Sequence, residues 1–435
     1  MPDIIFDKKI SKAYVIFPLV GGKEFALSPE YRLEEAVRLA QAINLQVVAQ
    51  ETVKIREIKP SAFFGRGYID ALQKTIAEQE IELVIVDASL TPIQQRNLEK
   101  ALHTKVIDRT ALILEIFGER ANTKEGNLQV ELAHLTYQRS RLVRSWTHLE
   151  RQRGGAGFLG GPGETQIELD RRIIDDKIVR IKKELEKVKK TRELQRGARK
   201  RVPYPVVALV GYTNAGKSSL FNRLSKAGVF AEDLLFATLD PTMRKIKLPS
   251  GREVILSDTV GFISDLPHEL IMSFRATLEE VLSADVIVHV RDLSNPNHRQ
   301  QQQDVLSVLQ NLGLENIEKQ DNYLELWNKT DLLNEEGRIF VAENARRFPF
   351  VIPVSAKTGE GCDAFLDALD HKLSARHRLI EIKVPSSDGQ MISWLYNHGE
   401  VLSLQNVDEY QVFKVRIDNV SFSKISSRNS IKLLN

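Results

Sequence analysis

The chain has 435 residues, of which 27% are charged and 42% hydrophobic, a balance typical of ordinary globular proteins and not of collagen-like or disordered chains. No run of 18 or more apolar residues is present, and the first residues lack the apolar core and cleavage site of a signal peptide, which argues against a membrane span and against export. The single cysteine, Cys362, cannot form an internal disulfide, so the sequence predicts a cytoplasmic protein of about three domains.

The net charge of +3 conceals an uneven distribution. Residues 139–201 contain 19 lysines and arginines against 9 acidic residues, a local charge of +10, so the rest of the chain carries −7. A basic stretch of this kind suggests a partner with a phosphate backbone, because neutralised phosphates release their counterions. A solvated, charge-rich helix is the alternative.

Residues 1–126 alternate between apolar runs and helix starts. Ser28 precedes Pro29, and Thr91 precedes Pro92 with Gln94 at the capping-box position. This alternation predicts a parallel α/β domain, with strands at 12–19, 45–55 and 83–87. The Gly65-Arg66-Gly67 segment is interpreted as a structural turn before a helix at 68–79, since two glycines are a weak signal for phosphate binding.

Residues 127–201 show no strand pattern. Apolar residues spaced by three and four predict two helices packed as an antiparallel hairpin, with Arg139 interrupting the first seam; they are Leu128, Leu132, Leu135, Leu142, Trp146 and Leu149, then Ile174, Ile178, Ile181, Leu185 and Val188. The connection at 154–163 has six glycines and is longer than a helix–helix turn requires. We predict that Arg151, Arg153, Arg171 and Arg172, which flank it, contact RNA or the ribosome, with a flexible turn as the alternative.

Residues 202–376 carry the nucleotide motifs. An apolar strand at 205–210 runs into Gly211-Tyr212-Thr213-Asn214-Ala215-Gly216-Lys217-Ser218, and a helix follows from Ser219. This is the phosphate-binding loop in its strand–loop–helix context, where backbone N–H groups cradle phosphate oxygens. Lys217 is expected to reach the β- and γ-phosphates, and the Ser218 hydroxyl to bind magnesium.

Two later segments indicate guanine. The Asp331 carboxylate of Asn328-Lys329-Thr330-Asp331 can accept hydrogen bonds from guanine N1–H and the 2-amino group, which adenine does not offer. Asn328 is expected to tie this segment to the phosphate loop. In Ser355-Ala356-Lys357, the Ala356 N–H is expected to donate to guanine O6.

The groups that sense the γ-phosphate are expected between these motifs. Asp258-Thr259-Val260-Gly261 follows a strand, so Asp258 is expected to hold magnesium through water and the Gly261 N–H to donate to the γ-phosphate. The first switch is expected at Phe236-Ala237-Thr238-Leu239-Asp240.

The motifs together resemble those of HflX, a family of ribosome-associated GTPases of the translation-factor-like class, close to the Obg group. The resemblance rests on GYTNAGKSSLFN, FATLDPT, SDTVGFI, NKTD and SAKTGEG, and most specifically on GGAGFLGGPGETQIELDRR. It implies GTP hydrolysis to GDP, binding to the large ribosomal subunit and its RNA, and splitting of stalled or idle ribosomes under stress. Alignment with the family favours Thr238 over Thr242 as the second magnesium ligand. Tyr68 stands where an early GxGK pattern of the family has lysine, which argues against a second nucleotide site.

The predicted fold is α/β and multidomain: an N-terminal α/β domain (1–126), a basic helical hairpin (127–201), a P-loop GTPase domain (202–376) and a small C-terminal α/β domain (377–435). In the last, strands are expected at 379–384 and 410–417 and a helix at 390–397. We expect a cytoplasmic monomer without stable membrane insertion and leave peripheral membrane association open.

The predicted site residues fall into three sets. Lys217, Thr238 and Gly261 are assigned to catalysis, and Ser218, Thr238 and, through water, Asp258 to magnesium. GTP or GDP is assigned to Gly211, Tyr212, Thr213, Asn214, Ala215, Gly216, Lys217, Ser218, Ser219, Phe236, Ala237, Thr238, Leu239, Asp240, Asp258, Thr259, Val260, Gly261, Asn328, Lys329, Thr330, Asp331, Ser355, Ala356 and Lys357.

The hydrolytic step lacks one usual group. Ras-like enzymes place a glutamine after the DxxG glycine to orient water, and here the residue is Phe262, which could also simply pack in the core. A partner or a cation is expected to complete the geometry, and Asn214 matches the asparagine that holds potassium in related GTPases. A GTP-controlled assembly or anti-association factor, and a switch with protein partners alone, are the alternative functions.

Overall fold

The computed structural model describes residues 11–21, 27–152, 166–199, 204–226, 235–236, 242–265, 281–418, 422, 424–425 and 432–433. In these ranges the chain forms three sheets and a long helical hairpin. No helix in the ranges is both long and apolar enough to cross a membrane.

The N-terminal domain is a parallel sheet with helices between its strands. The strands are β1 (Lys12–Val20), β2 (Gln46–Ile55), β3 (Leu83–Val86) and β4 (Lys105–Asp108), in the order β2-β1-β3-β4. The helices are α1 (Pro29–Gln41), α2 (Arg66–Gln79), α3 (Pro92–Leu102) and α4 (Arg109–Arg120). The predicted parallel α/β arrangement is confirmed. Strand β4 is additional: Lys105 and Asp108 at its ends leave only two apolar residues, whereas the equally short β3 is apolar throughout.

The helix starts follow their capping residues. The Ser28 hydroxyl accepts a hydrogen bond from the Tyr31 N–H (3.3 Å). At α3 the Thr91 hydroxyl accepts from the Gln94 N–H (3.2 Å), and the Gln94 side chain accepts from the Thr91 N–H (2.9 Å), which completes the predicted capping box.

The segment around Gly65 is a turn that leads into α2. The helix begins at Arg66, with Gly65 as its N-cap. The hydroxyls of Tyr14 and Tyr68 both donate to the Glu51 carboxylate. A carboxylate between two tyrosines is a poor setting for a phosphate, which favours the structural interpretation of this turn.

The basic hairpin consists of α5 (Lys124–Gln152) and α6 (Gln166–Arg199), and its predicted seam is largely confirmed. Leu128, Leu135, Ile178 and Ile181 are buried together, and four further seam residues are partly buried against them: Leu132, Ile174, Leu185 and Val188. Arg139, which interrupts the seam, donates to Asp175 across the helix pair (3.2 Å). The side chains of Trp146 and Leu149 and the segment 154–163 lie outside the described residues.

The third domain is a six-stranded sheet in the order β10-β9-β8-β5-β7-β6. Its strands are β5 (Val206–Val210), β6 (Thr242–Lys247), β7 (Glu253–Asp258), β8 (Val286–Asp292), β9 (Tyr323–Asn328) and β10 (Val351–Pro353), with β6 alone antiparallel to its neighbour. Its helices are α7 (Lys217–Ser225), α8 (His298–Asn311), α9 (Glu335–Arg347) and α10 (Cys362–Arg376). The carboxyl ends of the parallel strands therefore meet at one edge, where ligands bind in open α/β sheets.

The C-terminal domain packs one helix against an antiparallel sheet. The strands are β11 (His377–Pro385), β12 (Gly399–Val407), β13 (Tyr410–Asp418) and β14 (Lys432–Leu433), in the order β12-β13-β11-β14, and the helix is α11 (Gly389–His398). Met391 and Leu395 of α11 are buried against Ile382, Phe413 and Val415. The predicted helix and two predicted strands are present, and β12 is additional.

The N-terminal and nucleotide-binding domains share one apolar core. A continuous buried cluster runs from Ala13 and Leu39 of the first domain to Val210 and Phe236 of the third. The rings of Phe117 and Phe236 meet edge to face with their centroids 4.8 Å apart. The two domains are therefore packed directly on one another. The boundaries at 126, 201 and 376 stay predictions, and α5 begins shortly before the first of them.

Candidate active site

The phosphate-binding loop connects β5 to α7 at the carboxyl edge of the sheet. Gly211 and Gly216 adopt φ values of +154° and +91°, a region that favours glycine. A Cβ atom at Gly211 would lie 2.2 Å from the Val290 carbonyl oxygen, and one at Gly216 would lie 2.2 Å from Asn328 Nδ2. These two glycines are thus required by the packing of the loop against β8 and against the guanine-recognition segment.

Lys217 is buried beneath this loop. Its ammonium donates to the carbonyl oxygens of Gly211 (3.1 Å) and Tyr212 (2.8 Å). Burial lowers the pKa of Lys217 to about 8, against the opposing effect of the Asp258 charge. A phosphate anion would favour the charged form, so nucleotide binding and Lys217 protonation are coupled.

Ser218 and Asp258 form a pair of hard oxygen donors. The Ser218 hydroxyl donates to Asp258 Oδ2 at 2.7 Å, and Asp258 ends β7 directly beside β5. A hydroxyl and a carboxylate this close fit the oxygen chemistry that magnesium prefers. Thr242, the alternative second ligand, stands opposite Asp258 in the β6–β7 ladder. Ala237, Thr238, Leu239 and Asp240 lie outside the described residues.

The segment after Asp258 is bound to the phosphate loop through its backbone. The Phe262 N–H donates to the Gly211 carbonyl (3.1 Å), and the Thr213 N–H donates to the Phe262 carbonyl (2.7 Å). A Cβ atom at Gly261 would lie 2.9 Å from Thr213 and 3.1 Å from Lys217 Nζ. Phe262 itself is buried in the shared core, as in the packing interpretation, and carries no group that could orient water.

The guanine-recognition residues lie at the ends of β9 and β10. Asn328 Nδ2 donates to the Ala215 carbonyl (2.8 Å), the predicted tie to the phosphate loop. Asp331 accepts from the Ser355 hydroxyl (2.6 Å), and the Thr330 hydroxyl donates to the Val354 carbonyl (3.0 Å). The Ala356 N–H, expected to serve guanine O6, donates to Asn328 Oδ1 (2.9 Å).

Two contacts at this pocket escaped the sequence analysis. Arg223 of α7 donates from Nε to the Ala356 carbonyl (2.5 Å) and from its guanidinium to the Lys357 carbonyl. Lys329 Nζ lies 2.7 Å from Asp292 Oδ2 at the end of β8. Each contact links one of the two predicted base-binding segments to a different helix or strand. The two residues of each contact do not belong to a common sequence motif, so the sequence could not predict the contact.

A cavity of about 660 Å³ opens between the phosphate loop and the N-terminal domain. Thr213 and Asn214 of the loop form one wall with Asp292 and Lys329. The opposite wall is helix α1, with Glu30, Tyr31, Glu34, Glu35 and Arg38. The N-terminal domain therefore contributes directly to the surroundings of the nucleotide site, which its sequence, an ordinary amphipathic helix, does not indicate.

The predicted RNA-contacting arginines are only partly described. Arg171 and Arg172 are exposed near the start of α6, and Arg171 Nε lies 3.9 Å from Asp175. Arg151 belongs to α5, but its side chain and the whole of Arg153 lie outside the described residues. Both described arginines are therefore exposed at the surface near the start of α6.

Family profiles match four consecutive parts of the chain. Their descriptions are "GTP-binding GTPase N-terminal" (residues 30–118), "GTP-binding GTPase Middle Region" (120–199), "50S ribosome-binding GTPase" (206–329) and "HflX C-terminal domain" (340–427). These matches follow the order of the domains in the structure.

Individual proteins are similar over most of the chain. A protein of Magnetococcus marinus named GTPase HflX is 49% identical over 385 residues, 88% of each chain. The GTPase HflX of Escherichia coli is 42% identical over 365 residues, 84% of each chain. Among solved structures, a GTP-binding protein of Sulfolobus solfataricus in complex with GDP is 22% identical with a TM-score of 0.45, covering 84% of this chain and 99% of that one.

Proposed function

Since the chain belongs to the HflX family of GTPases, we propose that it uses GTP binding and hydrolysis to dissociate ribosomes, docking on the large subunit through its basic hairpin. GTP hydrolase activity follows from the family and the P-loop GTPase fold. The observation that carries the ribosomal part of the proposal is the "50S ribosome-binding GTPase" profile over the domain that holds the phosphate loop.

The proposed work of the site begins with phosphate binding. The N–H groups of the phosphate loop and the N-terminus of α7 bind the phosphates, and Lys217 exchanges its two carbonyl partners for β- and γ-phosphate oxygens. Ser218 and, through water, Asp258 would hold magnesium, which neutralises charge on the phosphates when bound. Gly261, held against Thr213, donates its N–H to the γ-phosphate.

We assign base selection to Asp331. Its carboxylate is oriented by the Ser355 hydroxyl and keeps lone pairs for the two hydrogen-bond donors of guanine. Lys329 is paired with Asp292, and the Ala356 carbonyl accepts a hydrogen bond from Arg223, so the proposed base pocket is held from two sides. A base without the matching donors would leave the carboxylate unpaired, which costs free energy.

Ribosome contact is assigned to the arginines that flank the hairpin tip. The described arginines at this end, Arg171 and Arg172, are exposed, and guanidinium groups suit RNA phosphates. Such a contact would place the protein in the cytoplasm, acting as a monomer. We extend the proposal to a potassium ion beside Asn214, because Lys217 is the one cationic side chain that we assign to the phosphates, in addition to the magnesium ion.

Sedimentation in sucrose gradients tests the proposal. The full chain with a non-hydrolysable GTP analogue should sediment with large subunits and should release free subunits from intact ribosomes. Cosedimentation without release would favour a GTP-controlled assembly or anti-association factor instead. Absence of the protein from the large-subunit fraction at low salt would leave a GTPase with protein partners alone.

A further inference from the structure

Seven polar residues, six of them buried and the seventh, Asp265, exposed, form a cluster between the N-terminal domain and the nucleotide-binding domain. We call it the Arg109 cluster; its members are Arg32, Glu35, Asp87, Arg109, Tyr212, Ser264 and Asp265. Arg109 lies at its centre, with Nη1 2.6 Å from Asp87 Oδ1 and Nη2 2.7 Å from Glu35 Oε2. All three of these side chains are at most 5% exposed, so the charges are removed from water. Buried charges persist only when they are paired, as these are.

The cluster reaches the phosphate loop through one hydroxyl. Tyr212 donates its single proton to Glu35 Oε1 at 2.5 Å. The Tyr212 hydroxyl oxygen also accepts a hydrogen bond from the Ser264 N–H at 2.9 Å and lies 2.6 Å from Ser264 Oγ. Because the Tyr212 proton is already donated to Glu35, the Ser264 hydroxyl must be the donor in this last contact. Burial and the Glu35 charge raise the pKa of Tyr212 well above its ordinary value, so the hydroxyl stays protonated and remains a donor.

Two cationic side chains of the N-terminal domain also contact the segment after Gly261. Arg109 Nη2 donates to the Ser264 carbonyl at 3.0 Å. Arg32 donates to Asp265 at 2.5 Å and to Asp87 at 3.2 Å. Although burial lowers the pKa of Arg109, the charges of Asp87 and Glu35 outweigh it and raise that pKa above its ordinary value. Arg109 therefore acts as a fixed positive charge on the backbone of this segment.

The segment is consequently held at both ends. Phe262 is hydrogen-bonded to Gly211 and Thr213 of the phosphate loop, and Ser264, two residues later, is hydrogen-bonded to Tyr212 and Arg109. Gly261 precedes this doubly held stretch and lies against Thr213, close to Lys217 Nζ. We call these contacts of Phe262 and Ser264 the clamp. Because Lys217 is expected to bind the β- and γ-phosphates, the clamp holds Gly261 beside the expected position of the γ-phosphate.

A buried ion cluster contributes little net stability compared with apolar packing of the same volume, but it defines one arrangement of the groups that it joins. We propose that Glu35 and Arg109 of the N-terminal domain, acting through the Tyr212 hydroxyl and Ser264, are positioning residues that set Gly261 for recognition of the γ-phosphate. The protein thus distinguishes GTP from GDP with side chains of a second domain. The inference rests on the GTPase site, and it is independent of ribosome binding.

The test compares nucleotide affinities of the full chain and of the Tyr212→Phe variant without ribosomes. The substitution removes one hydroxyl and keeps the ring. Affinity for a non-hydrolysable GTP analogue should fall about tenfold, the effect of losing a buried hydrogen-bonding group, while affinity for GDP stays within about twofold. Glu35→Gln should shift the same ratio in the same direction, because the amide binds Tyr212 and Arg109 more weakly than a carboxylate does.

A matched control is available in the same domain as the phosphate loop. Glu325 is a buried carboxylate paired with Arg291, and neither contacts the phosphate loop or Gly261. Glu325→Gln should leave the ratio of the two affinities unchanged even if it lowers the melting temperature. Equal losses of GTP-analogue and GDP affinity in Tyr212→Phe, or no loss of either, would leave the preference for the GTP analogue unchanged and would overturn the proposal, because the cluster would then have only a structural role. An increased preference for the GTP analogue would overturn it as well.

Discussion

The Ser355 hydroxyl donates to Asp331 Oδ1 at 2.6 Å, which joins the two segments that read the base. This bond uses one lone pair of Oδ1 and fixes the plane of the group, so the remaining lone pairs of both oxygens have defined directions. A carboxylate fixed in this way selects bases that offer hydrogen-bond donors and rejects those that offer acceptors.

The first prediction follows from that geometry. In Asp331→Asn the residue presents an amide in place of the carboxylate, which no longer matches the two donors of guanine. Affinity for GTP should fall by about a hundredfold or more, and affinity for xanthosine triphosphate, which carries an oxygen at the 2-position, should rise. Competition binding with labelled GTP measures both values. Undiminished GTP affinity in the variant would show that Asp331 does not face the base.

Arg223 supports the second prediction. It binds the carbonyl oxygens of Ala356 and Lys357, so Arg223→Ala should loosen the loop that carries the Ala356 N–H. Since the loop serves the base and not the phosphates, affinities for GTP and GDP should fall together, by about five- to tenfold. Arg338→Ala, on the exposed side of α9, is the control. A change confined to GTP would place Arg223 among the γ-phosphate sensors instead.

Local sequence was sufficient to predict the segments to which phosphate and base binding are assigned, and insufficient for the residues that brace those segments. The phosphate loop and the Asn328 segment are each contiguous, and each follows an apolar strand, so pattern and place in the fold agree. Arg223 and Ala356 are 133 residues apart, and Tyr212 and Glu35 are 177 apart. Contacts of this kind depend on how domains pack, which no local pattern encodes.

The strands that the sequence did not reveal have a similar explanation. Strand β12 lies at an edge of its sheet, and Leu402 and Leu404 are exposed there. Without a buried face, a strand lacks the alternation of apolar and polar residues by which strands are recognised. Strand β4 is mostly buried, but Lys105 and Asp108 leave it only two apolar residues, too few for such a pattern.

The third prediction concerns the basic hairpin. Replacing Arg151 and Arg153 together with alanine should weaken binding to large ribosomal subunits and reduce the slope of log affinity against log salt by about one for each lost phosphate contact. Nucleotide affinity should not change, because both arginines belong to the hairpin region of the sequence and not to the nucleotide motifs. Arg180→Ala is the matched control, since Arg180 is 81% exposed on the same hairpin and interacts with Glu184. Equal salt slopes for the double variant and the parent would show that these arginines do not contact RNA, which favours the alternative of a flexible turn.

The fourth prediction is a dependence of stability on pH. His289 is buried, its Nδ1 lies 2.9 Å from the Tyr323 hydroxyl, and burial, then Arg291 and Lys217, lower its pKa to about 3. The unfolded chain binds a proton near pH 6.5 and the folded chain does not, so protons favour unfolding as pH falls below 6.5. Between pH 7 and 5 this residue should cost about 2 kcal/mol of unfolding free energy.

Urea denaturation at the two pH values measures that loss. His289→Gln keeps a neutral hydrogen-bonding side chain and should flatten the pH dependence, although it lowers stability at pH 7. His371→Gln, on helix α10, serves as the control for replacement of a histidine elsewhere. If the variant and the parent lose the same free energy between pH 7 and 5, His289 is not the source of the pH dependence.

The last prediction concerns the positive charge that hydrolysis requires. The transition state spreads negative charge over phosphate oxygens, and an arginine finger that supplies the missing charge is worth about 10³ to 10⁵ in rate in other GTPases. Phe262 is buried and offers no water-orienting amide. Asn214 stands in the phosphate loop with φ +59° and lines the cavity beside Thr213. The proposed potassium ion would bind to its side-chain carbonyl oxygen, close to the phosphates. We therefore expect faster GTP hydrolysis in potassium than in sodium at equal ionic strength, with the difference abolished in Asn214→Ala and Asn214→Asp.

The control for this experiment is Asn344→Ala on α9, which removes the same side chain far from the loop and should keep the preference for potassium. GTP affinity measured in both salts separates binding from catalysis, because a cation that acts on the transition state raises kcat with little effect on KM. If the parent hydrolyses GTP equally fast in the two salts, with and without large ribosomal subunits, the cation has no role. The missing charge and the orientation of water would then have to come from the ribosome, since Phe262 provides neither.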